Sequence, residues 1–205
     1  MSLFTEAEEK RIASAITNAE RKTSGEIVAV VAAQSESYLY VPFLWAALIA
    51  LLVPWVLIYF SWLPVQSIYL VQLLVFAGLL FVFLMPSVRM ALVPKPVRRI
   101  HAHRRAIEQF LVQNLHTTKG RTGVLIFVSI AERYAEVLAD LGIHEKVPEN
   151  TWQEIVEELA GRIGEGRAVD GFVSAIEATG KHLALHFPPG TAEPNELPNH
   201  LIVLN

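Results

Sequence analysis

Histidine is the most abundant candidate metal ligand with a nitrogen or sulfur donor, because seven histidines occur in a chain without cysteine. His101 and His103 stand two positions apart in a segment with helical character. Residues at that spacing on a helix point ~200° apart, so the two imidazoles do not share a face. We therefore predict surface histidines here and not a metal-binding pair. His144, His182, His186 and His200 show no ligand spacing either.

Other signatures of catalysis are missing from the sequence. Without cysteine there is no thiolate nucleophile, no disulfide and no Cys-ligated zinc or iron–sulfur cluster. No serine or lysine stands in a recognisable hydrolase motif, and there is no Gly-rich phosphate loop, EF-hand or aspartyl-phosphate signature. The residue types alone therefore favour no particular reaction.

Positive charge is concentrated in one part of the chain. Residues 89–122 carry eight basic residues and one acidic residue, whereas residues 123–205 carry five basic and thirteen acidic ones. Lys and Arg near an anionic leaflet contribute about 1 kcal/mol each, so we predict that a group of six lies at a membrane surface. The six are Arg89, Lys95, Arg98, Arg99, Arg104 and Arg105. No aromatic platform accompanies them, and we predict no nucleic-acid partner.

Residues 41–88 contain no Asp, Glu, Lys or Arg. One membrane span needs about 20 apolar residues, so this stretch predicts two transmembrane helices, over residues 42–62 and 66–86, joined by a short turn. The basic residues follow the second span, and the positive-inside rule then places residues 89 onward, and with them residues 1–40, in the cytoplasm. The N-terminus lacks the pattern of a cleavable signal peptide, so the first span is expected to serve as the targeting signal.

The few polar residues within these spans give no support for transport. Gln66 and Gln72 form no ion pathway or proton relay. Such residues join helices to one another or to the helices of other proteins. We therefore expect the lipid bilayer, together with a membrane protein or a second copy of the chain, as partners.

The soluble segments read as alternating helices and strands. Thr5 and Glu8 form a capping box that opens a helix over residues 6–22, and residues 26–33 read as a buried strand. A helix is predicted over residues 97–116. Its predicted core face consists of Ile100, Ile107, Phe110, Leu111 and Leu115.

The second half of the chain predicts a β-hairpin followed by two helices. The strands are expected at residues 123–129 and 134–140, and residues 142–148 as a loop. Helices are expected at residues 149–163 and from Asp170, as the cap, to residue 186. Residues 191–205 form a Pro-rich tail that we expect to be extended.

This order predicts an α/β fold with the transmembrane hairpin inserted after the first strand. The domain is then discontinuous, with residues 1–40 and 89–190 on either side of the hairpin at 41–88 and a tail at 191–205. The first strand must pair with residues that follow the hairpin, because its apolar faces and its backbone edge would otherwise be exposed.

The chain resembles the TPM domain family, which is named for a thylakoid lumen protein, a photosystem repair protein and a receptor auxiliary protein. The resemblance lies in TSGE at residues 23–26, GVLIFVSIAER at 123–133 and EVLADLGI at 136–143. It continues in DG at 170–171, FP at 187–188 and NELP at 195–198, which look like the bacterial membrane-bound branch. In all it covers residues 5–35 and 97–198.

The resemblance implies a small α/β sandwich and a role as an accessory factor for membrane complexes, here in the bacterial inner membrane. Weak acid phosphatase activity and divalent-cation binding are attached to some family members. The matching acidic positions are Glu26, Glu132 and Asp140, which could hold Ca²⁺ or Mg²⁺ through oxygen ligands. The competing interpretation is that they are solvated strand and turn ends, with Glu132 paired to Arg133.

Two functions from different classes follow. The first is a membrane-anchored protein-interaction module that helps to assemble or maintain a membrane protein complex. The alternative is a divalent-cation-dependent phosphatase at the membrane surface. That enzyme would need at least two of the three carboxylates to lie close together.

Overall fold

A computed structural model describes residues 3–189 and 197–204 of the chain. It divides into an α/β unit, Met1–Ser35 with Arg99–Asn205, and a hairpin unit, Glu36–Arg98. In chain order the elements are α1 (Glu6–Glu20), β1 (Glu26–Ala32), α2 (Tyr40–Phe60), α3 (Val65–Phe83), α4 (Pro86–Leu92), α5 (Lys95–Val112), a 3₁₀ turn (Leu115–Thr117), β2 (Gly123–Ser129), β3 (Tyr134–Ala139), α6 (Leu141–His144), α7 (Glu149–Gly164), α8 (Ala168–His186) and β4 (Leu201–Leu204).

Four strands form one sheet in the order β3-β2-β1-β4. β1 pairs in parallel with β2, from Glu26 opposite Gly123 to Ala32 opposite Ser129. β2 and β3 form the antiparallel hairpin that the sequence predicts. The first strand therefore does pair with residues that follow the apolar hairpin, and the predicted α/β fold with a hairpin inserted after β1 is confirmed.

Helices cover both faces of this sheet, as expected because the two central strands are apolar on both faces between their ends. Every residue of β1 and β2 is buried. Ile27 and Ile126 face a core that contains Ile12, Phe172 and Leu159, from α1, α8 and α7. The alternate strand residues pack in a second core with side chains from α5 and the 3₁₀ turn, among them Val30, Phe127, Ala106, Phe110 and Leu115.

The predicted core face of α5 was wrong. Ala102, Ala106 and Gln109 are the buried residues of this helix, whereas Ile100 is 65% and Leu111 51% exposed. Phe110 and, beyond the helix end, Leu115 do pack in the second core. The reason is steric: Phe127 and Leu125 fill this face of the sheet, and the alanine side of α5 approaches most closely.

The start of α8 and one expected loop also differ from the prediction. α8 begins at Ala168 after Arg167, and Asp170 lies in its first turn, where its carboxylate pairs with Arg11 at 2.8 Å. The expected loop at residues 142–148 contains α6, which Asp140 caps.

The tail contributes a strand that the sequence did not predict. β4 pairs in parallel with β1, from Ala29 opposite Leu201 to Ala32 opposite Leu204. The preceding part of the tail, residues 190–196, lies outside the described residues.

The hairpin unit is built on two apolar helices. Among the described residues, α2 and α3 are long and apolar enough to cross a membrane, with mean hydropathies of 2.4 and 2.1. Only 22% and 6% of their apolar windows are buried within the protein. A core helix of a soluble protein would be mostly buried, so these helices are compatible with insertion into a bilayer.

Candidate functional site

The three predicted acidic residues lie at both ends of the sheet. Glu26 opens β1 opposite Gly123, and the N–H of Asp140 donates to the Gly123 carbonyl at 2.9 Å. Glu132 lies beyond the other end of β2, in the turn to β3. A strand of that length spans roughly 20 Å, so Glu132 cannot share a cation with Glu26 or Asp140. Within residues 3–189 and 197–204, no three His, Cys, Asp or Glu side chains form a group that could hold a metal.

All three carboxylates are buried, with exposures of 9% for Glu26, 7% for Glu132 and 6% for Asp140. The interpretation as solvated strand ends is therefore wrong. Burying a carboxylate is costly unless hydrogen bonds or ion pairs compensate it, so each must be explained by its surroundings.

Glu132 ties the β2–β3 turn to the segment that leaves β1. Its Oε1 accepts the Ser35 N–H at 3.1 Å, and its Oε2 accepts the Ser129 hydroxyl in a very short contact. The Ser35 hydroxyl in turn donates to Ser129 Oγ at 2.8 Å. These bonds engage both carboxylate oxygens, and the arrangement suits a structural clamp at the carboxyl end of the parallel strands.

Asp140 has a local structural role at the opposite end. Its Oδ1 accepts the Leu141 N–H at 2.7 Å and thereby caps α6, and it faces Arg121 Nη1 at 3.4 Å. Its Oδ2 has no hydrogen-bond partner in the part of the chain that the structure describes. The cap and the ion pair together account for the buried charge.

Glu26 borders a polar cleft of about 550 Å³ at the amino ends of the strands. The cleft combines acidic, basic and amide side chains, a mixture typical of sites that orient small polar ligands. Its functional groups are Glu20, Glu26, Lys119, Lys146 and Asn199.

Glu20 is the carboxylate whose ionisation this cleft alters most. Burial, together with the negative charge of Glu26, raises the pKa of Glu20 to about 8, although its Oε1 accepts the Ile27 N–H at 2.8 Å. Around neutral pH the cleft therefore holds a protonated acid beside a second carboxyl group. Such a pair can exchange a proton with a bound ligand.

The basic residues of the cleft are Arg21, at the end of α1, and two lysines from other segments. Lys119 follows the 3₁₀ turn, and Lys146 follows α6, with its Nζ 4.5 Å from the centre of the Phe187 ring. Ammonium groups of this kind attract oxyanions such as phosphate. The cleft therefore offers both acid–base groups and anion-binding groups.

Sequence reasoning missed most of this cleft. Glu20 could have been found, because it follows Ile12 and Ile16 at intervals of four and so continues the buried stripe of α1. Lys119, Lys146 and Asn199 come from segments far apart in sequence. Only the strand pairing brings them together, and no spacing along the chain indicates it.

The prediction of a surface position for His103 is confirmed. Its Nδ1 lies 2.9 Å from both oxygens of Glu136, and its side chain is 49% exposed. The Tyr134 hydroxyl donates to the same carboxylate at 3.0 Å, and burial beside that carboxylate raises the pKa of Tyr134. This network joins α5 to the edge strand β3.

The comparisons with known proteins agree with this fold. The model of the TPM domain matches residues 88–182. This match confirms the resemblance to that family over most of residues 97–198. The NMR structure of the BA42 protein from the psychrophilic bacterium Bizionia argentinensis has a TM-score of 0.63 at 22% identity, covering 98% of this chain and 96% of that chain. At this identity the likeness shows the fold alone. No curated protein matches the chain.

Proposed function

We propose that this chain, whose residues 88–182 match the TPM domain family, is a membrane-anchored interaction module that helps to assemble or maintain a membrane protein complex. Its α2–α3 hairpin inserts into the bacterial inner membrane, and its α/β unit lies in the cytoplasm. Its partner is a membrane protein or a second copy of the chain.

The observation that carries this proposal is the position of the hairpin. It is inserted between β1 and β2, which are neighbours in the sheet. The α/β unit therefore cannot form without returning the chain from the membrane to its starting side. An anchor placed this way holds the folded unit beside the bilayer at two points of the chain and not by a flexible terminal tether.

The composition of the hairpin supports a partner within the membrane. α3 presents exposed apolar residues such as Tyr69, Leu70 and Leu73, and it carries Gln72 among them. An amide within a span is stabilised by hydrogen bonds to another helix. The hairpin thus offers a surface to helices of a partner as well as to lipid.

The test uses the full chain in its native membranes. A photo-reactive amino acid at Leu73 or Tyr69 should give a discrete cross-link to one membrane protein or to a second copy, and the solubilised complex should migrate above the monomer. The photo-reactive amino acid at Gln153, on the α/β unit, is the control. It should not give this cross-link if the contact is made by the hairpin. Monomeric migration together with cross-links to lipid alone would reject the proposal.

The polar cleft favours a second candidate, a phosphatase that acts at the membrane surface. The two lysines would attract the phosphate, and Glu26 would hold a divalent cation. Water would then form the new bond to phosphorus while Glu20 donates a proton to the leaving oxygen, which departs as an alcohol. This version replaces the set of Glu26, Glu132 and Asp140, because Glu132 lies at the other end of the sheet and Asp140 does not line the cleft.

Turnover by purified protein separates the two candidates. Hydrolysis of p-nitrophenyl phosphate in Mg²⁺ or Ca²⁺ should fall by about 10²-fold or more in Glu20→Gln or Glu26→Gln if these groups do the chemistry. Asp140→Asn, outside the cleft, is the matched control and should retain its activity. Equal rates in all variants would exclude this candidate.

A further inference from the structure

Three large apolar side chains on one side of α5 are exposed. Ile100, Ile107 and Leu111 are 65%, 42% and 51% exposed. Their spacing of seven and four residues places all three on one stripe of the helix. The residues that bury against the α/β unit, Ala102 and Ala106, lie on the opposite side. We name Ile100, Ile107 and Leu111 the outer stripe.

An apolar stripe on a solvated helix costs free energy unless something covers it. The sequence pattern predicts these side chains in the core, but Ala106 takes the place beside Leu125 and Phe127. The stripe therefore needs a partner outside the described contacts of the unit.

Basic residues lie near the outer stripe. Arg104 stands between Ile100 and Ile107, with its side chain 77% exposed, and Arg105 follows it. Both face the same carboxylate, Glu108, at 3.5 and 3.2 Å, so one negative charge is shared by two guanidinium groups. Lys95, Arg98 and Arg99 precede them in the same helix. An apolar stripe flanked by arginines is complementary to an anionic lipid surface.

The position of α5 in the chain points to the same partner. Only residues 84–94 separate it from the end of α3. If α3 spans the bilayer, α5 begins only a few residues beyond the membrane. Basic residues this close to a span act at the surface of the leaflet. Lipid headgroups and the upper acyl chains are then the nearest cover for the outer stripe.

We propose that α5 lies in the headgroup region of an anionic bilayer, with Ile100, Ile107 and Leu111 inserted at the boundary of the acyl chains and Arg104 and Arg105 bound to lipid phosphates. The proposal rests on the membrane anchoring proposed above. It adds a second contact with the membrane, made by the α/β unit itself.

Spin labels in reconstituted full-length protein test this contact, and the absence of native cysteine allows single-cysteine variants. Ile107→Cys reports the outer stripe, Leu73→Cys reports the hairpin, and Gln153→Cys is the solvent control on α7. Each label is exposed to oxygen, which enters lipid, and to a water-soluble nickel chelate, in vesicles with or without phosphatidylglycerol.

We expect the label at residue 107 to collide with oxygen more than with the nickel chelate in anionic vesicles, at a shallower depth than the label at residue 73. The ratio of lipid-inserted to water-exposed label should fall about fivefold for each arginine removed in Arg104→Gln and Arg105→Gln. The label at residue 153 should stay in water throughout.

Three results would overturn the proposal. A label at residue 107 that meets the nickel chelate as freely as residue 153 does would show a solvated helix. Low access to both reagents would show that protein, such as a second copy, covers the stripe. If the label at residue 73 is also in water, the anchoring itself has failed, whereas a deep residue 73 with a solvated residue 107 rejects only the lipid contact of α5.

Discussion

At the scale of single residues, the ionisation of Glu20 gives the sharpest prediction. Its pKa is about 8 in the folded chain against 4.5 in the reference state. The folded state therefore binds more protons between these two values, and the free energy of unfolding falls as pH rises from about 4.5 to 8. Glu20→Gln keeps a carbonyl oxygen for the Ile27 N–H but cannot ionise.

We expect Glu20→Gln and the natural chain to unfold at similar temperatures at pH 5. At pH 8 the variant should be more stable by on the order of 2 kcal/mol, since the partial exposure of Glu20 lets solvent screen part of the shift. Thermal unfolding in detergent micelles at both pH values measures this. Glu154→Gln, an exposed carboxylate of α7, is the control. A parallel loss of stability in both chains between pH 5 and 8 would contradict the assignment.

The surroundings of Glu20 can be predicted from the local sequence, whereas those of Glu132 cannot. Glu20 continues the helical period of Ile12 and Ile16, so its half-buried position follows from local geometry. Glu132 is buried where it accepts the backbone N–H of Ser35, which precedes the hairpin in the chain whereas Glu132 follows it. That contact depends on strand pairing, and no local rule predicts it.

At the scale of elements, the packing of α1 against α8 depends on a residue without a side chain. A Cβ atom at Gly180 would lie 2.7 Å from the Cβ of Ala19. Gly180→Ala would gain about 1 kcal/mol of helix propensity, but overpacking costs about 1–3 kcal/mol. We expect a net destabilisation of about 1 kcal/mol, measured by thermal unfolding.

Gly161 in α7 provides the matched control for this substitution. A Cβ there would meet nothing within 4 Å. Gly161→Ala should therefore keep the gain in helix propensity, up to about 1 kcal/mol, without the cost of overpacking. Equal effects of the two substitutions would show that α1 and α8 do not approach as closely as the fold requires.

The sequence pattern predicted the buried strands β1 and β2 better than it predicted the orientation of α5. β1 and β2 are apolar except for Glu26 and Ser129 at their ends. They were expected within a residue of their bounds, because both faces of a central strand must be apolar. The orientation of α5 was not predictable in the same way. Its isoleucines favour burial, but Ala106 is the residue of α5 that packs in the core with Phe127, and Ile100 and Ile107 are exposed.

β4 is a short element whose removal should have a local effect. Its Leu204 carbonyl accepts the Ala33 N–H at 2.8 Å, and its Leu201 is buried. Deleting residues 201–204 would leave β1 as an unpaired edge and cost on the order of 2 kcal/mol from the loss of Leu201 burial alone. Amide hydrogen exchange should rise in residues 26–33 and change little in residues 134–139. Uniform exchange across the sheet would contradict a separate role for β4.

For the whole molecule, the decisive feature is that one sheet is assembled from segments on either side of an apolar hairpin. The sequence predicts this because residues 41–88 carry no charge and residues 26–33 cannot form a stable strand alone. The register of β1 on β2 and the arrival of the tail as a fourth strand depend on side-chain packing between distant segments. Periodicity does not contain that information.

The orientation of the hairpin is the prediction that tests this assembly as a whole. The loop at residues 61–64 has no basic residue, whereas Arg89, Lys95, Arg98 and Arg99 follow α3 closely. By the positive-inside rule, a reporter fused at Pro64 should lie outside the cytoplasm, and reporters fused at residues 1 and 205 inside it. Replacing these four basic residues with glutamine and adding lysines at the loop should shift the population toward the inverted orientation. An exterior signal from residues 1 and 205 of the natural chain would place the α/β unit, its cleft and the outer stripe in a different compartment.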